Sequence, residues 1–265
     1  MSFLDHLEEL RWHILRSSIA ILVFAIGAFV AMPWIFENIV IAPIKPEFLT
    51  YRVLCKIFTF TGQADMCIDK IDVQLQSRTL GGQFMMHITA SFVMGLVIAF
   101  PYVFWEIWRF VAPGLYQNEK KISTGAVFYV SILFLIGILF GYFIVSPMSI
   151  QFLANYTLSE KIERIIDISD YLGTLVTLTL SCGFVFQLPM LVYVLSKMGM
   201  VTPLFLQTYR KHAIVIILII SAIITPSPDI LTQMLVAVPI FMLYEVSIWI
   251  AAYQFKKRMK KLENL

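Results

Sequence analysis

Three acids, Asp5, Glu8 and Glu9, stand in LDHLEELRWHIL just before some twenty nearly pure apolar residues. The cytoplasmic lipid surface is anionic and favours Lys and Arg in such flanks, so acids there call for a reason. A capping box running from Ser2 to Asp5, at the positive end of a helix, accounts for Asp5 and partly for Glu8. It does not account for Glu9, which lies two turns in. A further acid, Glu119 in PGLYQNEKK, follows a second boundary rich in tryptophan, WEIWRF. Two carboxylates held at one interface by separate segments form an acceptor for a cation. Two facing guanidiniums would suit them, because arginine pairs bidentately with carboxylate.

The elements that must hold these groups are membrane helices. The chain has 265 residues, 59% hydrophobic and 14% charged, with a net charge of +3 and a mean hydropathy of +0.82. A soluble domain carries nearer ~25% charged residues. The mild charge implies no nucleic-acid partner. Six apolar blocks stand out, about 17–36, 84–108, 122–147, 171–196, 212–224 and 231–252, and predict an all-α, polytopic six-helix membrane domain over 1–265. No basic start with a short apolar region and a small-residue cleavage site is seen, so no removable signal peptide is expected. Thirteen of the twenty Lys and Arg residues fall in segments that share a side with both termini, which places both ends in the cytoplasm. The fifth block holds 13 residues. At ~1.5 Å each it cannot cross a ~30 Å hydrocarbon core upright. Pro101, Pro189 and Pro239 lie inside apolar blocks and predict kinked helices around a concave face, with the last two helices short.

Other polar groups were weighed for a role. Glu245 in FMLYEVSIWI is costly to leave inside a span, which favours function. Gln187 in FVFQLPM reads more simply as an interhelical hydrogen bond worth ~0.6 kcal/mol. The two sit at similar depth, as one shared polar pocket would require. Cys55 and Cys67 lie in one polar loop and are either a disulfide or two free thiols; Cys182 lies in an apolar segment. His87 reads as solvated or capped. His6 and His13 are too sparse for a metal site, and no metalloprotease, nucleophile-elbow, nucleotide-loop or intramembrane aspartyl pattern is present, so neither an enzyme nor a bound cofactor is expected. A solute transporter with a midplane site at Gln187 and Glu245 is the rival class. It leaves Glu9 unexplained.

Four stretches together carry a family resemblance: LDHLEELR, WRFVAPGLYQNEKK, FVFQLPM and TPSPDILTQ. The chain resembles TatC, the signal-peptide receptor of the bacterial twin-arginine translocation system, over nearly its whole length. The resemblance implies a multi-pass protein of the bacterial inner membrane that receives twin-arginine leaders of folded cargo. Arginine contacts are then implied at Glu9 and Glu119, with Leu10 and Arg11 completing the first motif and the Pro113-Gly114-Leu115-Tyr116 turn positioning Glu119. Gln187 stands where the family often has a glutamate, and a neutral amide neither titrates nor forms an ion pair. Contacts to TatA- and TatB-like single-span subunits are implied near Gln187 and Glu245, and Asp229 matches the acidic position of the outer link. Membrane lipid and further copies of the chain complete the implied partners. With no nucleotide loop in the sequence, the implied energy source is the proton-motive force.

Overall fold

The computed structural model describes residues 3–60, 74–115, 122–156, 165–225 and 229–263. The chain divides into two compact units, one of Met1–Ile132 with Ala154–Val176, the other of Leu133–Leu153 with Thr177–Leu265. Among the described residues, five helical stretches are long and apolar enough to cross a membrane, within Glu8–Lys56, Gly82–Phe110, Val127–Asn155, Ile168–Met198 and Ile230–Lys256.

In the first unit, α1 (Phe3–Ile35) packs against α3 (Gly82–Leu115). Gly95 lets the two backbones approach: a Cβ there would lie 2.6 Å from the amide nitrogen of Ala25. Pro33 sits inside α1 and has no amide to give the carbonyl of Phe29, one turn back. His87 of α3 fills that role, its Nε2 lying 2.9 Å from the Phe29 carbonyl oxygen. The imidazole also stacks on the Phe29 ring, centroids 4.0 Å apart. His87 is therefore neither simply solvated nor a helix cap. Past α1 the backbone loosens into a π-helical turn, Phe36–Val40, and a 3₁₀ turn, Ala42–Ile44, before α2 (Leu49–Phe60). Two tyrosine hydroxyls tie this stretch down: Tyr51 donates to the Pro43 carbonyl at 3.0 Å and Tyr171 to that of Val40 at 2.6 Å. A small parallel pair, β1 (Gln74–Gln76) and β2 (Ile165–Asp167), adds to the all-α plan, with Leu75 opposite Ile166. Asp167 Oδ1 accepts from the amide of Ser169 at 2.8 Å and Oδ2 from that of Arg78 at 3.1 Å.

Helix α4 (Ile122–Phe140) enters the second unit at Leu133 and continues through a π-helical turn, Gly141–Val145, into α5 (Ser146–Asn155). The facing span begins as α6 (Ile168–Val185), breaks at Phe186 and Gln187, and resumes as α7 (Leu188–Met198). Pro189 stands in the first turn of α7, where its missing amide costs nothing. The expected kink is thus a full break. Gly137, Gly141 and Gly183 allow close packing of the α4–π segment on α6, with a Cβ at Gly137 falling 2.7 Å from the Cys182 carbonyl. Buried Val145, Leu178, Cys182, Ile217, Val236 and Ile240 form the core.

Gly199, at φ 81°, ends α7 in a left-handed cap. Thr202 then caps the short α8 (Pro203–Thr208). Helix α9 (Arg210–Ile224) has 15 residues, as the hydropathy led one to expect. It covers about 22 Å, short of a ~30 Å hydrocarbon core. The last helix corrects the sequence expectation: α10 (Ile230–Glu263) has 34 residues and is not short. The tail QFKKRMKK continues the helix, being composed largely of good helix formers.

Candidate functional site

Helical periodicity sorts the residues around Glu9 onto two neighbouring faces of α1. Glu9, Trp12, His13 and Arg16 line one cavity of about 350 Å³ together with Arg109 of α3. Leu10, Arg11, Ile14, Leu15 and Ser18 line a second of about 390 Å³. Glu9 and Arg11 are exposed and Leu10 is half-buried. Glu119 and the side chains of Asp5, Pro113, Gly114, Leu115 and Tyr116 lie outside the described residues.

The wall of the first cavity contains a carboxylate that the sequence reading passed over. Glu106 of α3 is 1% exposed. Its Oε2 contacts Nδ1 of His13, itself buried, and its Oε1 accepts the hydroxyl of Tyr102 at 3.1 Å. Arg109 Nη1 lies 4.0 Å from the same oxygen, and its guanidinium stands 4.9 Å from the Trp105 ring centroid. One buried carboxylate thus gathers a histidine from α1, a phenol and a guanidinium from α3. Beside it Trp108 is buried, its indole N–H without a partner among the described residues. The signal that would have found Glu106 was present, since an ionisable group within WEIWRF falls inside an apolar block and meets the criterion applied to Glu245.

The remaining sequence candidates fall in several places. Glu245 pairs with Arg210 at the start of α9, Oε2 to Nη2 2.7 Å, so a counter-ion in the basic turn YRKH explains the carboxylate. Tyr244, next to it, donates to the Leu206 carbonyl at 2.7 Å. Gln187 stands at the break between α6 and α7, where its backbone carbonyl accepts the backbone amides of Met190 and Leu191, both at 3.0 Å. Asp229 is the N-cap of α10: its Oδ2 accepts the amide of Thr232 at 2.7 Å and the Thr232 hydroxyl at 2.6 Å. Cys55 is disulfide-bonded and Cys182 is free and buried; Cys67 lies outside the described residues. No cluster of His, Cys, Asp and Glu suited to a metal ion occurs among the described residues.

Apolar spans interrupted by π-turns, a helix too short to cross, and a polar groove at the start of the first span define a multi-pass membrane protein. The family model for Sec-independent protein translocase protein (TatC) matches residues 5–239. The TatC of Blattabacterium sp. subsp. Periplaneta americana is 37% identical over 261 residues, covering 97% of each chain. TatCy of Bacillus subtilis is 31% identical over 261 residues, covering 98% of this chain and 92% of its own. A crystal structure described as the twin arginine translocase receptor TatC superposes with a TM-score of 0.71 at 32% identity, covering 94% of this chain and 99% of that one. The chain belongs to the TatC family. It is a component of a Sec-independent protein translocase in the inner membrane, and its family is one of transport receptors, not catalysts.

Proposed function

We propose that this chain is the receptor for twin-arginine leaders, with both termini in the cytoplasm and Glu9 and Glu119 as the two carboxylate acceptors. The observation that carries this reading is Glu9 itself: an exposed carboxylate in a groove of about 350 Å³ at the start of the first span, on a chain of the TatC family. A charge-assisted hydrogen bond is worth ~1.5–3 kcal/mol. Two of them separate an arginine pair from weaker ligands. Lysine is a point charge without the planar fork, so exchanging either leader arginine for lysine costs geometry as well as energy. The leader's apolar part then follows into the membrane alongside α1, whose second cavity is lined by Leu10, Ile14 and Leu15.

Assembly with TatA- and TatB-like single-span subunits, in a complex containing further copies of the chain and lipid, belongs to the same proposal, as does energy from the proton-motive force. The Arg210–Glu245 pair and the α6–α7 break at Gln187 are the polar features offered to such partners. The rival transporter reading needs Glu245 available to a solute, and Arg210 occupies it. The test is photocrosslinking of a twin-arginine leader peptide to membranes containing the chain, repeated with Glu9→Ala and Glu119→Ala. Both substitutions abolish capture while the folded protein persists; capture at wild-type levels in both ends the assignment.

A further inference from the structure

The groove that contains Glu9 also contains cations, which sits badly with a ligand bearing two guanidiniums. Arg16 and Arg109 line it alongside Glu9. Among the described lining residues Glu9 alone faces these two arginines, a balance unfavourable to a twin-arginine leader. Glu106 changes that balance. It lies behind the lining, buried, with Oε1 4.0 Å from Arg109 Nη1 and Oε2 against His13 Nδ1. Among the described residues, the two carboxylates Glu9 and Glu106 match the two guanidiniums Arg16 and Arg109.

We infer that Glu106 is a specificity-determining residue of the leader groove: a buried carboxylate that offsets Arg109 and holds His13, so that Glu9 meets the arriving guanidinium without net repulsion. The inference rests on the receptor reading above. A buried carboxylate without partners would be costly, and Glu106 has three, the His13 imidazole, the Tyr102 hydroxyl and the Arg109 guanidinium. Burial serves the groove as well. A carboxylate set behind the lining cannot be reached as a ligand by the leader, yet it still acts on the Arg109 guanidinium 4.0 Å away. Glu106 is thus a positioning and electrostatic element, and Glu9 remains the contact.

The test uses the full chain in nanodiscs of neutral lipid and a fluorescent twin-arginine leader peptide, with affinity read by anisotropy at low and high salt. Glu106→Gln leaves Arg109 unmatched and weakens binding on the order of 5-fold at low salt. Arg109→Gln removes the opposing cation and tightens binding by a similar factor. The double variant returns to within about twofold of wild type, and all three differences shrink as salt screens them. A purely structural role for Glu106 predicts no such rescue. Should Glu106→Gln fail to fold, Arg109→Gln carries the test alone, and unchanged affinity overturns the inference. Glu9→Ala and Glu119→Ala run in parallel: if they bind like wild type, the receptor reading fails. If they lose the leader while Glu106→Gln and Arg109→Gln match wild type, only the role of Glu106 falls.

Discussion

His87 Nε2 lies 2.9 Å from the Phe29 carbonyl oxygen, the acceptor that Pro33 leaves without an amide donor in α1. An unmet carbonyl in a membrane helix has no water to turn to, so a side chain from α3 supplies the proton. The same contact fixes how α1 and α3 meet, because the imidazole also stacks on the Phe29 ring. His87→Phe keeps the stacking and removes the donor. It is expected to destabilise the protein by ~1–3 kcal/mol, the cost of an acceptor orphaned in lipid. In Pro33→Ala the residue's own amide satisfies Phe29, so His87→Phe then costs much less. A double-mutant cycle on detergent unfolding checks this, and equal costs in both backgrounds would refute it.

Close packing at Gly137 makes a second prediction. A Cβ there would fall 2.7 Å from the Cys182 carbonyl and 2.8 Å from the Gly183 Cα, both backbone atoms that cannot step aside. Gly137→Ala is expected to cost ~1–3 kcal/mol by forcing α4 away from α6. Gly27→Ala in α1, with nothing within 4 Å of its Cβ, should be neutral or stabilise by up to ~1 kcal/mol through helix propensity. Thermal unfolding of the two variants side by side reads the difference.

Acid sensitivity is expected where β1 meets β2. The backbone amide of Ser169, and then that of Arg78, hold the Asp167 carboxyl below its usual range. A carboxyl lowered in the folded state contributes stability above its unfolded value, ~3.9, and that contribution is lost as pH falls through the folded value. The protection of the Arg78 and Ser169 amides against hydrogen exchange, relative to the intrinsic rate at each pH, should therefore fall below about pH 4. Asp167→Asn should show faster exchange already at neutral pH and a flatter acid response. An identical acid profile in the variant would count against this linkage.

Cysteine pairing makes the fourth prediction. Cys55 is disulfide-bonded and Cys182 is free, so among three cysteines we propose Cys67 as the partner. Non-reducing peptide mapping should recover a Cys55–Cys67 crosslinked pair and an alkylatable Cys182. A Cys55–Cys182 peptide, or free thiols at all three, would contradict it.

Much was legible in the sequence because membranes impose a length and a polarity on every helix. Apolar blocks located the spans, and thirteen residues in the fifth block foretold the brevity of α9. The stretches LDHLEELR and WRFVAPGLYQNEKK pointed to the family later matched over residues 5–239. Hydropathy stops at an apolar boundary, however, while helix propensity does not, which is why α10 outran its expected end. Proline patterns suggested kinks, but whether a helix runs on, as at Pro239, or breaks, as before Pro189, depends on what satisfies the freed backbone groups.

Partner choice belonged to tertiary structure alone. Glu245 read as an unexplained carboxylate until Arg210, remote in the chain, was seen 2.7 Å away. His87 read as incidental until it stood beside the carbonyl that Pro33 had orphaned. Glu106 and His13, 93 residues apart, have no sequence pattern in common. Hydrophobic periodicity depends on each residue's own solvation and so is written locally in the chain. A hydrogen bond or ion pair depends on a few ångströms between groups on different helices, a distance set only when the helices pack.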